Sequence, residues 1–294
     1  VFNEKDEELP DFIGDNGYFS SMFDFAPVVF GASSKGWYDR QPITPDDYKR
    51  CCFHSQKRVG DIGFLSNIIE NHDEPRGVSH YIPEGEVSVY SKKMLAVMYF
   101  MLKGLPFIYQ GQEIGMENMK CSSIDQIDDI STIDEYHVAL NAGCSQEEAL
   151  KCISVYSRDN ARTPMQWDAS ENAGFTKGTP WPKVCDRYKE INTESRHEPD
   201  SVFQYYKELV KLRKELPVIQ KGAVTPLLRE DKEILAYKRE YQGKELYVFC
   251  NFFDGEVKVP YSIPEDCKSI LSNYGEEISP KELVLRPYEA VMFL

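Results

Sequence analysis

The residues that could do chemistry are concentrated in Glu70-Asn71-His72-Asp73, with Arg76 three positions further on. They close an apolar run, FLSNII, that starts at Phe64. A strand tip holds its side chains rigidly, so a carboxylate there can be aimed at positive charge developing on a bound molecule. His72 could donate to a hydroxyl, and Arg76 could orient the neighbouring acids. Taken alone, however, the triplet reads as a capping aspartate with an ion pair beside it.

The elements around it must place that tip. TPDDYKRCCFHSQKRV, from Thr44, predicts a helix with Thr44 as cap, Pro45 in the first turn, and Asp46 and Asp47 complementing the dipole. Residues 62–69 predict a short strand buried on both faces. SKKMLAVMYFMLKG, apolar nearly all round, predicts a buried helix capped by Ser91 and stopped by Gly104. LPFIYQ then predicts a second buried strand. Strand, helix and strand with short connections is the pattern of a parallel α/β sheet, whose chemistry in a barrel sits at the C-terminal strand ends.

Residues 116–192 read as loop with one helix near residues 146–155, and their acidic run SIDQIDDISTIDE as a solvated face. SVFQYYKELVKLRKEL carries Val202, Tyr205, Tyr206, Leu209, Leu212 and Leu216 on one stripe, with Asp200 as the expected cap. After Pro217 come short strands and a hairpin turning at Gln242-Gly243, so the chain divides into 1–221 and an antiparallel β domain over 222–294.

Composition narrows the function. A net charge of −14 and a pI near 4.9 argue against nucleic acid as a partner. No stretch has the roughly 20 apolar residues of a membrane span. The eight cysteines form no C-x-x-C pair, the five histidines are scattered, and there is no N-x-S/T sequon. A metal held by this chain is not expected, no cofactor is called for, and a reducing cytoplasm is the expected compartment.

IENHDEPR, which contains the opening cluster, resembles the last signature motif of the α-amylase superfamily, glycoside hydrolase family 13. GLPFIYQGQEIGMEN resembles the eighth barrel strand and following loop of its α-glucosidase branch. SRDNARTPMQWD, from Ser157, followed by NAGFT and PW, resembles oligo-1,6-glucosidases, dextran glucosidases and trehalose-6-phosphate hydrolases, as does LRPYEAVMFL at the end.

The resemblance implies the C-terminal part of a (β/α)8 TIM barrel, strands six to eight, followed by a small antiparallel β-sandwich. It implies a retaining α-glucosidase that hydrolyses terminal α-1,6 or α-1,4 bonds of short oligosaccharides. Asp73 then matches the acid that stabilises the oxocarbenium-like transition state, His72 a histidine bonding sugar hydroxyls, and Arg158 an arginine lining the glucose pocket. Arg76 would fix loop geometry with a possible share in the subsite, and Arg162 would serve the scaffold. Gln112 stands where many relatives have Glu.

Two groups that such an enzyme needs are not matched, the nucleophilic Asp and the acid/base Glu. The resemblance puts both before Val1, and among Glu4, Asp6, Glu7, Glu8, Asp24, Glu70 and Glu113 no motif marks a replacement. The expectation is therefore a chain inactive by itself. It would pair with the missing N-terminal half of the barrel or self-associate, since half a barrel has open edges. The alternative is a non-catalytic interaction protein on the same scaffold.

Overall fold

The computed structural model describes residues 5–26, 33–41 and 43–294. After a single helical turn, α1 (Leu9–Phe12), strands β1 (Met22–Phe23), β2 (Leu65–Asn67) and β3 (Leu105–Pro106) form a sheet in that order. Both pairs are parallel, with Met22 opposite Leu65 and Ser66 opposite Leu105. Helix α2 (Pro45–Val59) links β1 to β2. The short α3 (Gly77–Tyr81) and the longer α4 (Val89–Phe100) link β2 to β3. The parallel α/β arrangement expected from the strand–helix–strand pattern is present.

Helix α2 starts as its residues dictate. The Thr44 hydroxyl accepts from Asp47 N–H, and the Asp47 carboxylate accepts from Thr44 N–H at 3.1 Å. Helix α4 starts one turn earlier than expected. Ser88 is the cap, and Ser91, the expected cap, is the third residue of a reciprocal box, accepting from Ser88 N–H at 2.9 Å. The apolar Val89 and Tyr90 hid that start.

The expected strand 105–110 keeps only Leu105–Pro106 in the sheet, and it is not buried. Leu105 is 41% exposed and Phe107 45%, because among the described residues β3 pairs with β2 on one edge and with no strand on the other. Gly104 permits the close approach to β2 with φ +135°. A Cβ there would lie 2.4 Å from the Leu65 carbonyl oxygen.

The region read as loop holds more structure. Besides α6 (Gln146–Ser154), there are α5 (Ile130–Asn141) and a helical turn, α7 (Asp159–Arg162). Ala139 of α5 packs with Ala149 and Ile153 of α6, so apolar spacing inside the acidic run made a helix. Next come α8 (Val202–Glu215), capped by Ser201 rather than Asp200, and α9 (Pro217–Lys221). The serine hydroxyl bonds Gln204 N–H at 3.2 Å.

Strands β4 (Ala223–Leu227), β5 (Ile234–Tyr241) and β6 (Lys244–Asn251) continue as an antiparallel meander. Then follow β7 (Val257–Lys258), β8 (Ser269–Ser272), β9 (Val284–Leu285) and β10 (Ala290–Phe293). The larger sheet runs β4-β5-β6-β10-β8, and β7 pairs with β9. Gln242 and Gly243, both at positive φ, make the expected tight hairpin. Phe249 and Phe293 of the larger sheet share a core with Leu285 of the smaller.

A second core joins α2, α4 and α8 to β5, β6 and β10. Residues 94–102 are buried without a break, so α4 meets apolar neighbours on every side. Buried cations close the backbone here. Arg239 on β5 donates to the carbonyl of Met101 just past α4 and, at 2.7 Å, to that of Gly222. Burial lowers its pKa to about 10.

Candidate functional site

Asp73 lies in the turn after β2, where its N–H bonds Asn71 Oδ1 at 2.7 Å. That Asx turn sets the backbone and leaves the side chain 51% exposed. His72 is exposed beside it, with Nε2 3.2 Å from Asp73 Oδ2. The other carboxylate oxygen faces arginines. Arg162 Nη2 donates to Asp73 Oδ1 at 2.9 Å, and Arg162 Nε donates to the His72 carbonyl at 3.0 Å. Arg158 Nη1 stands 3.8 Å from the same Oδ1. The structure thus brings together Asp73, His72 and Arg158, and adds Arg162, which the sequence reading gave to the scaffold. Arg158 and Arg162 are four residues apart across α7, a spacing that puts both on one helical face, and this signal was available in the sequence.

Arg158 is set by the acidic run. Its Nε and Nη2 both donate to Asp129 Oδ1, at 2.9 and 2.6 Å, and Nη2 also donates to Ser131 Oγ at 2.8 Å. Burial pushes the Asp129 carboxyl up, but hydrogen bonds from Arg158 and Thr132 outweigh it and hold the pKa below the usual range. Asp159 Oδ2 in turn accepts from the N–H groups of Asp128 and Asp129 at 2.7 and 2.9 Å. Glu135 accepts from Trp37 N–H at 2.6 Å, and Asp128 from Trp181 Nε1 at 2.6 Å. The solvated-face reading of this run is therefore corrected: Asp125 and Asp134 are exposed, while Asp129 is a buried anchor.

Arg76 is elsewhere. It is 1% exposed, and its Nη1 donates to Glu70 Oε1 at 3.2 Å and to the Gln110 carbonyl at 2.7 Å. Glu70 also accepts from Gly77 N–H, and burial pushes its carboxyl up against the pull of Arg76. This pair pins the turn holding Asp73 to the turn after β3, and no face of Arg76 reaches the open side. Gln112 now has a structural account. Its amide donates to the hydroxyls of Tyr99 and Tyr206 at 3.0 and 2.7 Å and accepts from Tyr109 N–H at 3.0 Å. A carboxylate could not donate both of those bonds.

The other acids weighed in the sequence lie apart. Asp24 is buried against α2, accepting from Ser55 Oγ at 3.1 Å. Asp6 pairs with Arg58, and Glu4 lies outside the described residues. Glu113 borders a cleft of about 620 Å3 that opens beside Arg162 and is walled by Trp167, Phe175 and Trp181. Along α8 a second groove of about 780 Å3 is lined by Ile108, Phe203, Tyr206 and Val210. Among the described residues, no three His, Cys, Asp or Glu side chains are placed to hold a metal ion, and no helix is long and apolar enough to cross a membrane.

The chain thus sets a carboxylate in the turn after a parallel strand, backed by arginines, ahead of an antiparallel sheet. The catalytic-domain model of α-amylase matches residues 11–222, and this chain belongs to that family, glycoside hydrolase family 13. It is 41% identical over 280 residues to the oligo-1,6-glucosidase of Halalkalibacterium halodurans, a match covering 93% of this chain and 50% of the relative. It is 38% identical over 229 residues to the trehalose-6-phosphate hydrolase of Bacillus subtilis, covering 76% and 41%. The crystal structure of Bacillus licheniformis trehalose-6-phosphate hydrolase superposes with a TM-score of 0.92 at 32% identity, covering all of this chain and 54% of that one. The chain spans about half the length of the relatives it matches.

Proposed function

We propose that this chain forms the C-terminal half of a retaining α-glucosidase that removes terminal glucose from short α-1,6- or α-1,4-linked oligosaccharides. Asp73 is the observation that carries this reading: a half-exposed carboxylate in the turn after parallel strand β2, with Oδ1 tied to Arg162 and Oδ2 on the side of His72. As the glycosidic bond breaks, the sugar ring gains oxocarbenium character, and a fixed anion lowers the energy of that state more than that of the neutral ground state. His72 donates to a hydroxyl of the same ring. Arg158, held by Asp129, keeps Nη1 3.8 Å from the Asp73 carboxylate.

Retaining hydrolysis also needs a nucleophile and an acid/base about 5–5.5 Å apart. In this reading both come from the part of the barrel outside residues 1–294. The partner surface is then the free β3 edge and the groove along α8, where Leu105, Phe107 and Ile108 await a neighbouring strand and helix. All eight cysteines are free thiols, which suits a reducing cytoplasm.

Release of p-nitrophenol from its α-D-glucoside tests the reading. The lone chain is expected to give none, and the protein with the remaining half of the barrel present to give turnover that Asp73→Asn removes. Turnover by the lone chain would overturn the division of catalytic groups between halves. An intact protein that binds oligosaccharides without cleaving them would favour the non-catalytic alternative.

A further inference from the structure

We infer that Arg162 is the positioning residue for the Asp73 carboxylate, an inference that rests on the reading of Asp73 given above. Asp73 has little else to hold its side chain. Its backbone is set by Asn71, but the carboxylate is half exposed, and its neighbour His72 is more exposed still. A side chain anchored on another mobile side chain is not fixed in direction.

Arg162 is built differently. The carbonyl of Ala161, the residue before it, accepts from Tyr109 Oη at 3.0 Å and lies 3.5 Å from the buried Arg76 Nη2. The root of Arg162 is therefore tied to the loop after β3 and to the turn after β2. From that root one planar guanidinium reaches two groups of the same dipeptide: Nε bonds the His72 carbonyl at 3.0 Å, and Nη2 bonds Asp73 Oδ1 at 2.9 Å. A fork that grips backbone and carboxylate together fixes the rotation of that carboxylate, which a single ammonium cannot do.

Arg158 does not duplicate this. Its Nε and Nη2 are committed to Asp129 and Ser131, and its Nη1, at 3.8 Å from Asp73, is beyond hydrogen-bond length. The two arginines of α7 divide the work. Asp129 positions Arg158, Arg162 positions Asp73, and Oδ2, which no arginine holds, is left on the side of His72 to face the sugar.

The test is a mutant cycle in the protein with both halves of the barrel present, reading kcat and KM separately on p-nitrophenyl α-D-glucoside. Asp73→Asn should lower kcat by roughly 10³-fold, as removal of a transition-state electrostatic group does. Arg162→Met should lower kcat by roughly 10²-fold with KM little changed, the effect of displacing a reacting group by about an ångström. Added guanidinium ion, well below unfolding concentrations, should restore part of the kcat of Arg162→Met but none of that of Asp73→Asn. The double variant should have a kcat no lower than that of Asp73→Asn alone, because the effect of Arg162 on kcat runs through Asp73.

Losses that multiply in the double variant, or a wild-type kcat in Arg162→Met, would overturn the inference while leaving the role of Asp73 intact. An Asp73→Asn variant with full kcat would overturn the functional reading and this inference with it. Should Arg162→Met fail to fold, Arg162→Lys decides. A folded Lys variant is expected to keep most of the kcat loss, and wild-type kcat in it would count against the fork.

Discussion

From Met94 onward, α4 is buried against α2, α8 and strands β5, β6 and β10. Along β3 and the residues after it, Leu105, Phe107 and Ile108 stay partly exposed, with the Phe107 ring packed on Phe23. Both stretches are apolar runs in the sequence, and hydropathy alone treats them alike. What separates them is whether this chain supplies the cover. On the closed side it does so thoroughly, down to Arg239 donating to the backbone carbonyls of Met101 and Gly222. On the open side the same residue types are left partly exposed. In the proposed reading, the partly exposed apolar residues of this edge mark where a neighbour would pack.

Substitutions can break or sharpen that contrast. The largest loss is expected from Arg76→Met, which leaves Glu70 buried and unpaired and should cost about 3–5 kcal/mol; urea unfolding of the chain measures it. Arg239→Met removes the donor from two buried carbonyls and should cost about 2–3 kcal/mol in the same measurement. A comparable loss from any single change on the open edge would erase the distinction.

Glu74 gives a smaller effect with a pH signature. Burial raises its carboxyl to about 7, with Arg40 pulling it down and Asp73 pushing it up. The folded chain then holds a proton that the unfolded chain has already lost, so this group's contribution is fully present below the unfolded value and is lost as pH rises through about 7. Glu74→Gln should leave the Tm unchanged near pH 4 and raise stability by roughly 1–2 kcal/mol above pH 7. The smallest change in stability is expected from Phe107→Ser, about 1 kcal/mol, because the ring is 45% exposed and loses chiefly its contact with Phe23. Its effect should appear in sedimentation instead, as weaker self-association of the lone chain.

The sequence made the fold legible where one pattern had one meaning. The Thr44 box, the stripe of α8 and the Gln242-Gly243 turn each named an element without competitors. It misled where polar residues carried two possible roles. Ser88 and Ser91 could each cap α4, and only the reciprocal hydrogen bonds decide. Asp129 looked like its exposed neighbours because burial of one acid in an acidic run depends on a partner 29 residues away, Arg158. The site was legible as a dipeptide and an arginine, through resemblance. That Arg162 rather than Arg158 makes the hydrogen bond to Asp73 is a fact of α7's placement, and no motif states it.

The burial of α4 on every side has a consequence for how this protein could be taken apart or rebuilt. A linker between independent modules can be cut, lengthened or spliced, because few contacts cross it. Here the last turn of α4 is finished by an arginine from the other side of residue 222, and its apolar surface is shared by both halves. A chain ending at Lys221 would lose that covering at once. The β strands should therefore melt with the barrel segment as one cooperative unit. A designer building a chimera would do better to exchange α4 together with residues 222–294 than to graft at residue 222.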